Sequence, residues 1–471
     1  MDVDVIIAGA GPTGLMLAAE LGLAGVSAVV LERLPERSGQ SKALGLQPRT
    51  AEVFEARGLL DRLTGRAILK VPGGHFAGLR LDFTAWDTAH PYMIGIPQAR
   101  VEELLEARAA ELNVKVLRGH ELTALTQDDD GVTATAGPLR LRGRYLVGCD
   151  GGRSTVRDLL GIGFPGLDGR LRMAVADLTL TGPAPTSWSL PDMTPSATGK
   201  GYLAPLGDGV YRFLFYGPEQ QELPRDAPIT PAEVTRALTG SAGPRVRLGE
   251  IRWASRFTDA SRQITRYRHG RVLLAGDAAH IHSPMGGQGL NLGVQDAFNL
   301  GWKLSTHLHG HASDDLLDTY HTERHPVAAR VLANTRAQAV LLVPDEEHLA
   351  LRTIVEELLT LPEANKVIAG MISGLDIRYP LPGDPHPLLG TQLPGLDLHS
   401  GRPLILAATE RLRPAVTPWS GRVGYEVTAR DLHAEAVLVR PDGYVAWTGS
   451  DAASLTDALS RWAGTPQRST R

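Results

Sequence analysis

The chain has 471 residues, 43% of them hydrophobic and 21% charged, with a formal net charge of −4. That length accommodates about two to three domains with a well-buried core, and the charge balance offers no basic excess to hold nucleic acid or anionic lipid. The single cysteine, Cys149, excludes an internal disulfide and any multi-cysteine metal site, and suits a reducing compartment.

The first predicted element is an apolar strand, Val3 to Ala8, running into Gly9-x-Gly11-x-x-Gly14 and a helix; a second apolar strand, Ala28 to Leu31, ends in Glu32. In such a unit the glycines permit a tight turn, close approach of backbone to a pyrophosphate, and close packing of the following helix. The helix N-terminus attracts the diphosphate, and Glu32 can accept both hydrogen bonds of an adenosine ribose while repelling a 2′-phosphate. The unit implies the ADP half of FAD or NAD and does not discriminate between them. Because it begins at residue 3, and because no run of about 18 apolar residues follows, we expect no signal peptide, no membrane span and a cytoplasmic protein.

Further along, residues 49–58 read as a helix capped near Gly58, and Ala99 to Leu112 as another. Short strands are predicted at 114–117, 132–135 and 139–141, before the apolar run 145–149 meets Asp150-Gly151. From about 173 to 261 the texture changes to β-like runs broken by Pro and Gly, such as 211–216, which predicts a separate sheet. A buried strand at 271–275 precedes a long helix from near Leu290, with Leu290, Val294, Ala297, Phe298 and Gly301 at helical spacing. Tyr379 to Pro394 is rich in Pro and Gly and is the best linker candidate; beyond it, 436–440 and 444–447 read as a hairpin about Pro441-Asp442-Gly443. No internal repeat or low-complexity tract occurs.

Two later motifs stand beside the first. Residues 149–157, Cys-Asp-Gly-Gly-Arg-Ser-Thr-Val-Arg, form an acidic turn after a strand with a Ser/Thr cap for a helix, a pattern that alone reads equally well as an ordinary turn. Gly276-Asp277-Ala278-Ala279-His280 places a carboxylate at a strand's C-terminal end, where open α/β sheets bind ligands. It leads into Ser283-Pro284-Met285-Gly286-Gly287-Gln288-Gly289, a loop of backbone N–H groups at a helix start, suited to stabilising negative charge.

With these three motifs in this order, the chain resembles the class A FAD-dependent monooxygenases of the para-hydroxybenzoate hydroxylase type. Within that class, residues 275–303 and the C-terminal Arg440-Pro441-Asp442-Gly443 are similar to the actinobacterial aromatic polyketide hydroxylases and to the rifampicin monooxygenases. The resemblance implies an α/β fold: a Rossmann-like FAD-binding domain (1–72, 98–172 and 262–380), an inserted β-sheet substrate domain (73–97 and 173–261), and a thioredoxin-like domain (395–471) with no cysteine and hence no thiol–disulfide chemistry. It implies non-covalent FAD, NADPH or NADH as a transient reductant, and O2, with hydroxylation of a polycyclic aromatic, polyketide-type molecule through a C4a-hydroperoxyflavin. It places Gly9, Gly11, Thr13 and Gly14 on the diphosphate, Glu32 on the ribose, and Arg33 and the backbone of Leu122 by adenine. Lys42 stands where the family usually has Arg, and so lacks the bidentate fork. Gln98 is expected at the ribityl chain, Asp150 in the second motif, and Asp277 at a ribityl or diphosphate oxygen. Pro284 is expected near the reactive ring edge, with the N–H groups about Gly287, Leu290 and Asn291 facing the pyrimidine end. No dedicated acid or base and no metal ligand is assigned.

The residues themselves leave choices open. His280 and His282 have no carboxylate or cysteine set to complete a metal site, so a structural or pocket-lining role is preferred. Phe76, Trp86, Tyr92, Trp188, Tyr202, Tyr211, Phe213 and Phe215 could wall an aromatic pocket, with Met285 beside them, but core packing is the better reading for any single one. Arg212 and Arg256 could meet substrate oxygens or water. Competing functions are inactivation of a rifamycin-type antibiotic, an NAD-dependent dehydrogenase, which the later motifs oppose, and a flavin-containing polyketide-binding protein without turnover. A flavin halogenase is disfavoured by the absence of Trp-x-Trp-x-Ile-Pro. Oligomeric state is left open.

Overall fold

The computed structural model describes residues 2–65, 69–184, 193 and 199–466. Trp188 lies outside them.

A mostly parallel sheet carries the N-terminal motif. Its strand order is Arg268–His269, Val272–Leu274, Leu139–Gly148, Val3–Ala8, Ala28–Glu32 and Lys115–Arg118. Val3–Ala8 runs parallel to both of its neighbours. Strands covered on both faces carry continuous apolar runs rather than alternation, and Val5, Ile6, Ile7, Val30, Leu146 and Val147 are fully buried accordingly. The separate strands expected at 139–141 and 145–149 are one continuous strand, whose outer half also pairs antiparallel with Val132–Ala136. One face of the sheet is covered by the helices Pro12–Leu23 and Gly289–Leu308, which approach so closely that a side chain at Gly301 would collide with Glu20.

The separate sheet expected after residue 172 is present. It is antiparallel, in the order Lys200–Gly207, Val210–Tyr216, Arg172–Thr181, Arg247–Thr258. The helix Pro231–Ala242 packs Val234 and Leu238 onto the face that carries Ala174, Ala176, Leu178, Phe213 and Phe215. By strand alternation the opposite face carries Arg212, Leu214 and Tyr216. That is the face turned to the site.

Near the C-terminus four strands take the order Gly424–Val427, Leu404–Ala407, Ala436–Val439, Val445–Gly449, the first pair parallel and the rest antiparallel, followed by the helix Ala452–Trp462. This is a thioredoxin-like arrangement without cysteine. The stretch 379–394, expected as a linker, is a packed strap instead. Tyr379, Leu389 and Leu393 are buried, and backbone bonds tie Gly390 and Leu393 to Val445 and Gly443. The Pro and Gly content serves tight turns over an apolar surface rather than freedom of movement.

Between the strap and the long helix lie Asp314–Val340, Glu346–Leu359 and Pro362–Ser373. No helix among the described residues is long and apolar enough to cross a membrane.

Candidate active site

A single cavity of about 780 Å³ runs from the N-terminal turn to the exposed face of the antiparallel sheet. Its first end is built of backbone. Gly9 has φ +102°, and a Cβ there would lie 2.5 Å from the Cys149 carbonyl oxygen; a Cβ at Gly14 would lie 2.0 Å from the Gly9 carbonyl oxygen. A Cβ at Gly11 would meet nothing within 4 Å. Two glycines are thus demanded by packing and the third by the space in front of it, where a diphosphate has access to the start of the Pro12–Leu23 helix. The Thr13 hydroxyl nests against Gly276 and Gly293. Glu32 accepts the N–H groups of Ala10 at 2.8 Å and Leu34 at 2.9 Å, one on each oxygen, which fixes the carboxylate at the cavity edge with lone pairs to spare.

Arg33, Lys42, Gln98, Asp150, Asp277, Pro284, Met285, Gly287 and Leu290 all line this cavity, as the sequence leads one to expect. Asp277 is exposed at the end of the Val272–Leu274 strand. Gln98 is held at both ends of its amide, by the Ala43 N–H at 3.1 Å and the Glu102 carboxylate at 2.8 Å. Asp150 gives one oxygen to the Val156 N–H at 3.0 Å, while its other oxygen is buried without a partner among the described residues; burial pushes this carboxyl up. Lys42 is exposed, and its carbonyl lies 3.4 Å from an Arg212 nitrogen.

One cofactor expectation, that of the Gly287 N–H, needs correction. The Leu122 side chain packs into the core, and the expected adenine contact is one of its backbone. The Gly287 N–H is spent inside the loop, donating to the Pro284 carbonyl at 3.0 Å. Asn291 stands behind the loop as a strut: its amide donates to Gly287 at 2.8 Å and Gly45 at 3.2 Å, and its oxygen accepts the Gln47 N–H at 2.8 Å. The first bond of the Gly289–Leu308 helix is from Leu292 to Gln288, so the N–H groups of Leu290 and Asn291 precede the hydrogen-bonded ladder.

At the second end, Tyr202, Arg212 and Met285 line the cavity as proposed. Burial pushes the Tyr202 phenol up to about 12. Arg212 is locked on the Asp177 carboxylate by two bonds of 2.8 Å from the adjacent strand. The other described aromatic candidates, Phe76, Trp86, Tyr92, Tyr211, Phe213 and Phe215, do not line the cavity. Phe213 stacks on Phe215 beneath the Pro231–Ala242 helix. Phe76 packs with Leu341, Leu359 and Ile372. Trp86 donates to the Lys366 carbonyl at 2.9 Å, and Tyr92 meets His90 edge-on with Lys70 over its ring. Arg256 turns to the helix side and pairs with Glu233. Alternation explains what was missed: if Phe213 and Phe215 face the helix, Leu214 and Tyr216 face the cavity, joined by Val71, His75 and Met93.

The two histidines separate in role. His280 is buried against Asp296 at 2.7 Å, with Arg324 on the other Asp296 oxygen at 2.7 Å, whereas His282 lines the cavity and burial lowers its pKa. Cys149 is buried beneath the turn, and burial pushes its thiol well above the usual range, which makes it unreactive. Among the described residues no group of side chains could hold a metal ion.

A Rossmann-type sheet with a glycine cradle, an acid at the second strand's end and a spacious cavity beyond defines a dinucleotide-binding enzyme. Residues 2–335 match the FAD binding domain family and residues 386–466 the C-terminal domain of aromatic-ring hydroxylases. The 12-dehydrotetracycline 5-monooxygenase/anhydrotetracycline 6-monooxygenase of Streptomyces rimosus is 47% identical, covering 99% of this chain and 100% of its own. The rifampicin monooxygenase of Streptomyces venezuelae is 44% identical over 98% of each chain. Among solved structures, the OxyS anhydrotetracycline hydroxylase of Streptomyces rimosus is similar at a TM-score of 0.90 and 46% identity, covering 99% of this chain and 100% of that one. The chain belongs to the FAD binding domain family and is an FAD-dependent monooxygenase of the aromatic-ring hydroxylase kind.

Proposed function

We propose that this enzyme uses NAD(P)H and O2 to hydroxylate a polycyclic aromatic, polyketide-type substrate held against the antiparallel sheet. The observation that carries this reading is the continuity of the cavity: space beyond the cofactor cradle is walled by Val71, Met93, Tyr202, Leu214, Tyr216 and Met285, a largely apolar and aromatic surface with few polar groups. That surface suits a flat, fused-ring molecule.

In this reading Gly11 and Thr13 hold the diphosphate, Glu32 the ribose, Arg33 the adenine end, and Gln98 and Asp277 the ribityl and diphosphate oxygens. FAD supplies the two-electron and oxygen chemistry when bound. The chain's own contribution is to orient the reacting ring, to keep water from it, and to favour negative charge at the helix start near Leu290. One substrate, one O2, one NAD(P)H and one proton give hydroxylated product, NAD(P)+ and water. The division into 1–72, 98–172 and 262–380 for the cofactor and 73–97 and 173–261 for the substrate follows from this assignment.

The relatives support two substrate classes, tetracycline-type aromatics and rifamycins. The test is NAD(P)H oxidation and oxygen consumption against both, with mass spectrometry for a gain of one oxygen atom. Turnover of fused aromatics alone supports the first reading, and turnover of rifamycins alone the second. Binding of both without oxygen consumption would leave a sequestering protein and overturn the proposal.

A further inference from the structure

His75 carries information that neither the cofactor nor the fold accounts for. It sits in the strand Gly74–Phe76, paired antiparallel with Leu79–Leu81, so that Phe76 and Leu79 point into the core and His75 points the other way, onto the cavity wall. The hairpin is fixed in place. The Phe83 ring occupies the space where a Cβ on Gly74 would stand, 2.5 Å away, and the turn residue Gly78 has φ +84°.

That turn sets the tautomer. The Gly78 N–H donates to His75 Nδ1 at 3.3 Å, and since a backbone N–H can only donate, Nδ1 holds a lone pair and the neutral ring carries its proton on Nε2. Burial lowers the ring's pKa to about 4, so it stays neutral near pH 7. No described residue accepts a hydrogen bond from Nε2. The wall that His75 shares includes apolar side chains such as Val71, Met93 and Met285. A fixed donor on a cavity wall favours ligands that can accept from it.

We propose that His75 is a substrate-recognising residue whose Nε2–H donates a hydrogen bond to a phenol, ether or carbonyl oxygen on the bound ring system. The inference rests on the aromatic-substrate reading above and deepens it: the site selects oxygenated rings over bare hydrocarbon. His75 acts as a donor and not as a base, because the nitrogen facing the ligand already bears a proton.

The test is titration of the oxidised holoenzyme with naphthalene, 1-naphthol and 1-methoxynaphthalene, followed by the change in flavin absorbance. We expect 1-naphthol and the methyl ether, which can only accept, to bind about three- to ten-fold more tightly than naphthalene. His75→Leu should abolish that preference while retaining FAD, and His75→Gln, which restores an N–H at similar reach, should recover part of it. Preference for the phenol without preference for the ether would reveal an acceptor on the protein and overturn the assignment, on wild-type protein alone. An unaltered preference in a flavin-loaded His75→Leu would also overturn it, while leaving the aromatic-substrate reading intact. Failure of all three probes to bind would overturn both.

Discussion

The helix Gly289–Leu308 begins in the cavity and ends in a buried polar seam beneath the C-terminal unit, and its two ends treat charge in opposite ways. In the seam the charged groups are paired. Arg440 is fully buried and donates to Glu323 at 2.7 and 2.8 Å and to Asp442 at 3.0 Å, while Lys303 donates to Glu323 at 2.8 Å and to Asn299 at 2.8 Å. At the cavity end, by contrast, Asp277 is exposed, one Asp150 oxygen lacks a partner among the described residues, and the first helical N–H groups precede the ladder. The paired charges hold the molecule together, whereas the open groups at the cavity edge offer partners to a ligand. Arg212 and His75 illustrate the distinction on one wall, since the first is locked on Asp177 and the second has a donor without a partner among the described residues.

The seam offers the largest test of that contrast. Arg440→Met would leave two carboxylates buried without their main partner and should cost about 3–5 kcal/mol, read as a drop in denaturant midpoint. A variant as stable as its parent would show that the seam's pairing contributes nothing. Burial alone would raise the Glu323 carboxyl, but Arg440 and Lys303 hold it at about 2. Its stabilising contribution is therefore present above the ordinary carboxyl value of about 4.3 and disappears as pH falls toward about 2. Wild type should lose stability across that window more steeply than Glu323→Gln.

At the cavity end the expected losses fall on ligand binding. Glu32→Ala should weaken FAD by roughly 10- to 150-fold, from loss of hydrogen bonds to a charged acceptor worth about 1.5–3 kcal/mol. Equilibrium dialysis measures it, and unchanged affinity would remove Glu32 from the site. A smaller effect, on reaction outcome, is expected from Gly287→Val. A Cβ there would lie 3.8 Å from the nearest side-chain atom, Gln47 Nε2, so space is available, but φ +62° strains a valine and the loop must shift; the test is made on a variant that folds and keeps FAD. Product per NAD(P)H should fall about twofold or more, with peroxide making up the difference. Wild-type coupling would detach the loop from the oxygenating step. The smallest effect is expected from Cys149→Ser. Its thiol is buried and held protonated, so turnover should change by less than about twofold, and loss of turnover in a flavin-loaded variant would give the thiol a role.

The cofactor end was legible in the sequence because its requirements are local. A positive φ at Gly9, open space at Gly11 and an acid closing the second strand leave a spaced signature in one stretch of chain. The substrate wall was not legible. Whether Phe213 or Leu214 faces the cavity depends on which side of the strand the Pro231–Ala242 helix covers, a tertiary fact invisible to alternation alone. Phe76 and Trp86 are pocket candidates only as long as the helices that bury them, Glu346–Leu359 and Pro362–Ser373, are not placed, and core packing is what the structure gives them. Gly287 lines the cavity, but its N–H, expected at the ring, is used by the loop itself. His75 left one faint trace, a histidine preceded by two glycines, which only the hairpin geometry makes readable.

The position of the strand Val272–Leu274 has a consequence for synthesis. It completes the central sheet beside Leu139–Gly148, about 130 residues after its partner has emerged from the ribosome, and the Asp277 turn and the 284–290 loop follow it. Until then residues 146–148 form an uncovered sheet edge, and the N-terminal cradle, though complete in sequence, lacks the wall opposite it. At about 5–20 residues per second the nascent chain spends several seconds or more in that state, so a chaperone has a defined interval in which to act, and flavin capture becomes an event of late translation.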